Sequence, residues 1–305
     1  MLSTVSGMRA LLLIATILVC LTAGLQLAPI PSARAAEQSG YLGFDRNDYP
    51  GDANLKILRQ TFSYSGYWLN NPPGAKTNSW VGKRKTLEAA GFGFLVLFDG
   101  RTYAEIKSAG NAARLGGSDA ATAVVTARTE GFPSGTIIFL DQEQGGRLLT
   151  EQRAYLHAWI DGVNSAHFAA GVYCSGIAAR ESASVSIITA EDIQKNAGGR
   201  KIQYWVVNDS CPPSPGCTVS KKNLAPETSG ISFAEVWQFA QSPKRPDFAS
   251  GCRAGYNRAN YNKDGNCYPP GIVPERVPAK DTTQRLRVDL DVATSSDPSH
   301  GRTRD

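Results

Sequence analysis

The chain has 305 residues, 42% hydrophobic and 19% charged, which excludes an intrinsically disordered chain and allows a buried core. Its 32 basic residues against 27 acidic ones give +5, and without the first 35 residues, which hold two Arg and no acid, the balance is +3. So small an excess argues against nucleic-acid binding driven by phosphate contacts.

The N-terminus reads as an export signal. Arg9 supplies a positive start, Ala10 to Ala23 is almost unbroken apolar sequence, and Ala33-Arg34-Ala35 places small residues where a signal peptidase cuts. The expectation is a secretory signal peptide over residues 1–35, cleaved after Ala35, and a secreted or periplasmic product with no stable membrane insertion. Cys20 is not read as a lipid attachment site, because Val19 stands where a small residue is needed.

Short apolar strands and longer helical patterns then alternate. Strands are predicted over Tyr41 to Asp45, Phe62 to Leu69, Phe92 to Asp99, Thr136 to Glu143, Ala170 to Ser175, Gln203 to Asp209, Glu235 to Gln241 and Arg287 to Ala293. The clearest helices are Trp80 to Ala90, Ser118 to Glu130, Thr150 to Ala166 and Ala190 to Ala197, with Thr150 and Thr189 as N-caps. Eight strands with mostly helical crossovers predict a (β/α)8 TIM-like barrel over residues 40–295, with an open doubly wound sheet as the alternative.

The regularity breaks from Ser210 to Gly230 and from Ser242 to Thr283, where Pro, Gly, Asn and Ser dominate. Long irregular loops are therefore expected after the sixth and seventh strands. They hold Cys211, Cys217, Cys252 and Cys267, and in an exported chain such cysteines are expected to form disulfides. Cys211 with Cys217 and Cys252 with Cys267 is the simplest of the three pairings. Cys174 lies in an apolar strand and is expected to stay a buried thiol. Residues 296–305 read as a disordered polar tail.

The fourth strand carries the strongest chemical signal. Period-two alternation sends Ile137, Phe139, Asp141 and Glu143 to one face, leaving two carboxylates about 6–7 Å apart along the backbone at the strand's C-terminal end. Two nearby, partly buried acids suit acid/base chemistry, since one can hold its proton while the other stays ionised. Asp45 ends the first strand, and Asp289 and Asp291 share a face of the last, so a closed barrel would gather these acids at one mouth.

Gly43-Phe-Asp45, Gly66-Tyr-Trp-Leu69, Asp141-Gln-Glu143, Gly171-Val-Tyr173, Trp237-Gln238 and Val288-Asp-Leu290 occur in the order seen in family 25 glycoside hydrolases, the lysozyme-type muramidases. The chain resembles still more closely a bacterial glycoside hydrolase-like domain of unknown function related to that family. The resemblance implies that Glu143 is the general acid, and its place among several acids in one partly desolvated pocket predicts that it titrates above an ordinary glutamate. Asp141 would orient the substrate or stabilise developing positive charge, and Asp45 and Asp289 would complete an acidic floor. Tyr173, Trp237 and Gln238 would line the sugar subsites; Asp291 is also expected to bind substrate, and alternation sets Trp237 on an inward face beside Glu235, Phe239 and Gln241. The implied partner is a cell-wall glycan, N-acetylated peptidoglycan, engaged by a monomer. The alternative is a barrel that binds glycan, or maintains the envelope, without cleaving it.

Other chemistries find less support. Cys174 with His157 or His167 would need histidines from a helix packed outside the barrel. Asn260 to Gly265 imitates a calcium loop, but Gly271 stands where its bidentate Glu is required. Three His and no clustered cysteine pairs leave little basis for a zinc site, and no metal or cofactor is expected.

Overall fold

The structure is a computed structural model that describes residues 40–209, 225–240 and 288–303. The signal segment, the calcium-like stretch and all four loop cysteines lie outside the described residues.

The strands are β1 (Tyr41–Asp45), β2 (Tyr64–Trp68), β3 (Gly93–Asp99), β4 (Ile137–Asp141), β5 (Ala169–Ser175), the short β6 (Ala178–Arg180) and β7 (Ser186–Ile188), β8 (Gln203–Val207), β9 (Val236–Ala240) and β10 (Asp289–Ala293). Eight of them close into a barrel in the order β1-β10-β9-β8-β5-β4-β3-β2, and β6 and β7 form a separate antiparallel hairpin. All eight predicted strands are therefore barrel staves. One runs against expectation: β10 is antiparallel to both β1 and β9, while the other seven are parallel.

Glycines set how closely the staves approach. A Cβ on Gly43 would run into the ring of Tyr64, and one on Gly171 into the ring of Phe139, so both strands give up a side chain to seat a neighbour's aromatic ring. A Cβ on Gly66 would stand 2.9 Å from that of Asp45.

The helices are α1 (Asp52–Leu58), α2 (Arg84–Ala89), α3 (Tyr103–Ser108), α4 (Ala112–Glu130), α5 (Thr150–Ser165) and α6 (Thr189–Lys195). The helix predicted from Ser118 begins six residues earlier, at Ala112, behind an Asn111 cap whose Oδ1 accepts from the Arg114 N–H at 2.9 Å. Gly116 and Gly117 hid this start. Gly116 lies where a Cβ would collide with the Tyr155 carbonyl of α5, so the helix trades propensity for close packing. Thr150 and Thr189 are not caps. Each is the first residue of its helix, after Leu149 and Ile188.

The predicted tail is also corrected. Through residue 303 the segment after β10 folds across the bottom of the barrel. Ser299 accepts from the Ile137 N–H, donates its own N–H to the Phe94 carbonyl and takes the Val96 N–H on its hydroxyl, each at 2.8 Å. Asp297 accepts from the Phe94 N–H at 2.8 Å, and the buried Arg84 donates to the Gly301 carbonyl at 2.7 Å. A polar sequence here supplies partners to open strand ends, which hydropathy alone does not reveal.

Among the described residues no helix is long and apolar enough to cross a membrane. Cys174 is a buried free thiol.

Candidate functional site

The C-terminal ends of the parallel strands form one acidic mouth. Asp99 and Asp141 are register partners at the ends of β3 and β4, and Asp45 ends β1 opposite Asp289. Reversal of β10 is what brings Asp289 here, since its position at the start of the strand would put it at the other end of a parallel stave.

Asp141 is 6% exposed, and its Oδ1 is buried without a hydrogen-bond partner. Burial first, and then the charges of Glu143, Asp99 and Asp45, drive its carboxyl well above the ordinary range. Two residues later the chain has left the strand and Glu143 is exposed. Burial, the largest cause of the shift at Asp141, thus falls on the acid beneath Glu143.

The Glu143 loop is held from several sides. Gln144 Oε1 accepts from the Tyr103 N–H at 2.6 Å and from Gln152 Nε2 at 3.0 Å. Thr189 Oγ1 accepts from the Gly146 N–H at 2.8 Å, and Asp192 Oδ2 from the Leu148 N–H at 3.1 Å. Arg147 pairs with Glu181, just beyond β6, with Nε to Oε1 at 2.9 Å.

Deeper in the barrel, Asp45 accepts from Gln238 Nε2 at 2.8 Å, and Gln238 Oε1 accepts from the Tyr173 hydroxyl at 2.7 Å. Asp291, fully buried, accepts from Trp205 Nε1 at 3.0 Å. Burial raises Asp45 to about 6, against hydrogen bonding from Gln238 and Asp291 and with help from the charge of Glu143. Asp291 is pushed well above its usual range by burial, by the charge of Asp45 and by hydrogen bonding to it.

Tyr173, Gln238, Asp291 and Asp45 thus meet one another inside the barrel. Trp237 does not join them. It points to the opposite face of β9 from Gln238, fully buried, with Nε1 donating to the Asn208 carbonyl at 3.0 Å. The predicted inward face of this strand is inverted, because its two faces are almost equally apolar and period-two reading cannot choose between them.

Beside the acids a cleft of about 630 Å³ opens over β2, β3 and β4, lined by Asn70, Asn71, Asp99, Arg101, Glu105, Asp141 and Glu143 among others. Asp99, Asn70 and Arg101 are absent from the motifs read in the sequence. A signal existed for Asp99, which closes the predicted third strand as Asp141 closes the fourth. Burial first, then the charges of Glu105 and Glu143, raise its carboxyl to about 6, against the pull of Arg101. Arg101 is held by Asp119, with Nε to Oδ2 at 2.8 Å and Nη2 to Oδ1 at 3.0 Å, and Tyr155 steadies Asp119 through a 2.9 Å hydroxyl contact.

The chain is thus a closed α/β barrel with carboxylates gathered at its C-terminal mouth. A family model described as an Rv2525c-like, glycoside hydrolase-like domain matches residues 64–212, from β2 past β8. The chain is also similar to several solved structures. An uncharacterized B. stearothermophilus protein is 15% identical, with 83% of this chain and 96% of that one covered and a TM-score of 0.47. For the Tat-secreted protein Rv2525c of Mycobacterium tuberculosis in complex with HEPES the values are 12%, 84%, 95% and 0.46. For the bacterial lysozyme of Streptomyces coelicolor they are 13%, 86%, 97% and 0.45. No curated protein matches the chain.

Proposed function

We propose that the chain is an exported glycoside hydrolase that cleaves an N-acetylated cell-wall glycan, peptidoglycan, with Glu143 donating the proton to the glycosidic oxygen. The observation that carries this reading is the exposed Glu143 beside a cleft, two residues past a buried Asp141 whose carboxyl is raised first by burial and then by the acids around it. Asp45 supplies the field beneath the reacting sugar, Asp141 orients the sugar, and Asp289 extends that floor. A positioned general acid of this kind contributes about 10²–10⁴-fold. Tyr173, Gln238 and Asp291 act from below by fixing Asp45.

A binding barrel without hydrolysis is the second reading. It is favoured by one observation: Tyr173, Gln238 and Asp45 are already satisfied by one another. Incubation with purified peptidoglycan, scored by new reducing ends, separates the two. A hydrolase releases ends and loses most of that activity as Glu143→Gln while still binding glycan. A binder shows wild type and variant equally inactive and equally bound. Equal, measurable hydrolysis by both would remove Glu143 from the proton-donor role.

A further inference from the structure

Asp99 is an acid that the contacts among the described residues leave largely unexplained. Its main chain is fastened at both polar atoms by one side chain: Asn70 Oδ1 accepts from the Asp99 N–H at 2.7 Å, and Asn70 Nδ2 donates to the Asp99 carbonyl at 3.0 Å. The next residue, Gly100, lies so close to the Asp141 carbonyl that a Cβ there would overlap it, which locks the exit of β3 against the end of β4. The position of Asp99 relative to Asp141 is therefore built into the backbone.

Its side chain is treated differently from the chain's structural acids. Asp119 takes Arg101 and Tyr155, Asp161 takes Arg200, and Asp297 takes the Phe94 and Arg302 amides. The Asp99 carboxyl lines the cleft and accepts no hydrogen bond among the described residues, and the nearby Arg101 already spends two of its nitrogens on Asp119. Next to it, the orphaned Oδ1 of the buried Asp141 is a second acceptor without a partner on the same cleft. Half-burying an acid beside other acids costs free energy that the pull of Arg101 returns only in part.

We propose that Asp99 is a further substrate-contacting residue of this cleft, its carboxylate accepting hydrogen bonds from hydroxyl groups of a sugar unit bound beside Glu143. A carboxylate with both oxygens open matches the paired O–H donors of a pyranose, and charge-assisted bonds of this kind are the strong ones. At neutral pH its carboxyl is largely in the ionised, accepting form, since it titrates at about 6. This inference rests on the reading of the cleft as a glycan site.

The test uses the chain carrying Glu143→Gln, so that nothing turns over. Binding of chitotetraose and of solubilised peptidoglycan is measured by calorimetry, with Asp99 intact and as Asp99→Ala and Asp99→Asn. Loss of a hydrogen bond to a charged group predicts affinity about tenfold or more lower for Asp99→Ala. Asp99→Asn, which keeps one acceptor oxygen, should fall between, and its unchanged or higher melting temperature shows that the barrel is intact. In the chain that retains Glu143, Asp99→Ala should raise KM for peptidoglycan by a similar factor. Unchanged affinity and KM for Asp99→Ala would overturn this assignment alone. If the chain with Asp99 intact neither binds these glycans nor releases reducing ends, the glycan reading itself fails and the assignment falls with it.

Discussion

Gln238 donates to Asp45 at 2.8 Å, and because its carbonyl already holds the Tyr173 hydroxyl at 2.7 Å, the amide cannot reverse without breaking both bonds. The orientation makes Asp45 an acceptor and Tyr173 a neutral donor. Gln238→Leu removes one hydrogen bond from the buried Asp45 carboxyl and one from the buried Tyr173 hydroxyl, each costing about 1–3 kcal/mol. At roughly 2–4 °C per kcal/mol for a domain of this size, the melting temperature should drop by at least about 4 °C. Gln238→Glu should be worse near pH 7 than near pH 5, since it sets a second carboxylate against Asp45. Thermal unfolding at the two pH values checks both expectations.

The interior acids also set how stability depends on pH. Asp45 and Asp99 each titrate at about 6 in the folded chain, against 3.8 ordinarily, so the folded state holds their protons more tightly than the unfolded one. Stability is therefore greatest with these groups protonated and declines as pH rises from about 4 through about 6. For the buried Asp45 the change is on the order of 3 kcal/mol. Asp291 and Asp141 are displaced further in the same direction and extend the decline upward. Asp291→Asn keeps an acceptor for Trp205 and removes one ionisation, so its melting temperature should exceed wild type at pH 7.5, with the gap closing toward pH 4. A gap that widens on acidification would contradict this electrostatic account.

How far the sequence discloses this arrangement depends on what alternation encodes. Period two locates a strand and pairs its faces but reads the same in both directions, so β10 is legible as a stave while its reversal is not. Where one face is polar, as with Asp289 and Asp291, the faces sort correctly. On β9 both are nearly apolar, and Trp237 takes the outward side. Thr189 looks like a helix cap because hydroxyls favour that position, yet its oxygen is used by Gly146 across 43 residues of sequence, a contact no local pattern carries. Asp99 is missed because the paired acids of the fourth strand form a motif, whereas one acid per strand becomes a cluster only when the barrel closes.

The strap formed by the C-terminal residues gives a further prediction. Ser299→Ala leaves the Val96 N–H without its partner at a fully buried site, which costs about 1–3 kcal/mol. Removing everything after Thr294 strips the partners of Phe94, Val96, Ile137 and Arg84 together and should abolish cooperative unfolding. Gly93→Ala should mimic part of that loss, because its Cβ would collide with the Ser296 carbonyl. A truncated chain that melted like the full one would show the strap to be dispensable.

The last prediction concerns the loop that presents Glu143. Its Gly146 N–H is anchored on Thr189 Oγ1, and Thr189 is fully buried in the first turn of α6. Thr189→Val is nearly isosteric but removes the acceptor, so the loop loses a fixed point three residues from Glu143 while the barrel below is untouched. If Glu143 is the proton donor, looser placement should lower kcat on peptidoglycan by about tenfold, because misplacement of even 1 Å is costly to a reacting group. KM should change little, since the cleft walls at Asn70, Asp99 and Arg101 do not depend on this bond. Thr189→Ser restores the oxygen and should restore kcat. A purely structural role would instead lower the melting temperature of Thr189→Val and leave kcat per folded molecule at the wild-type value.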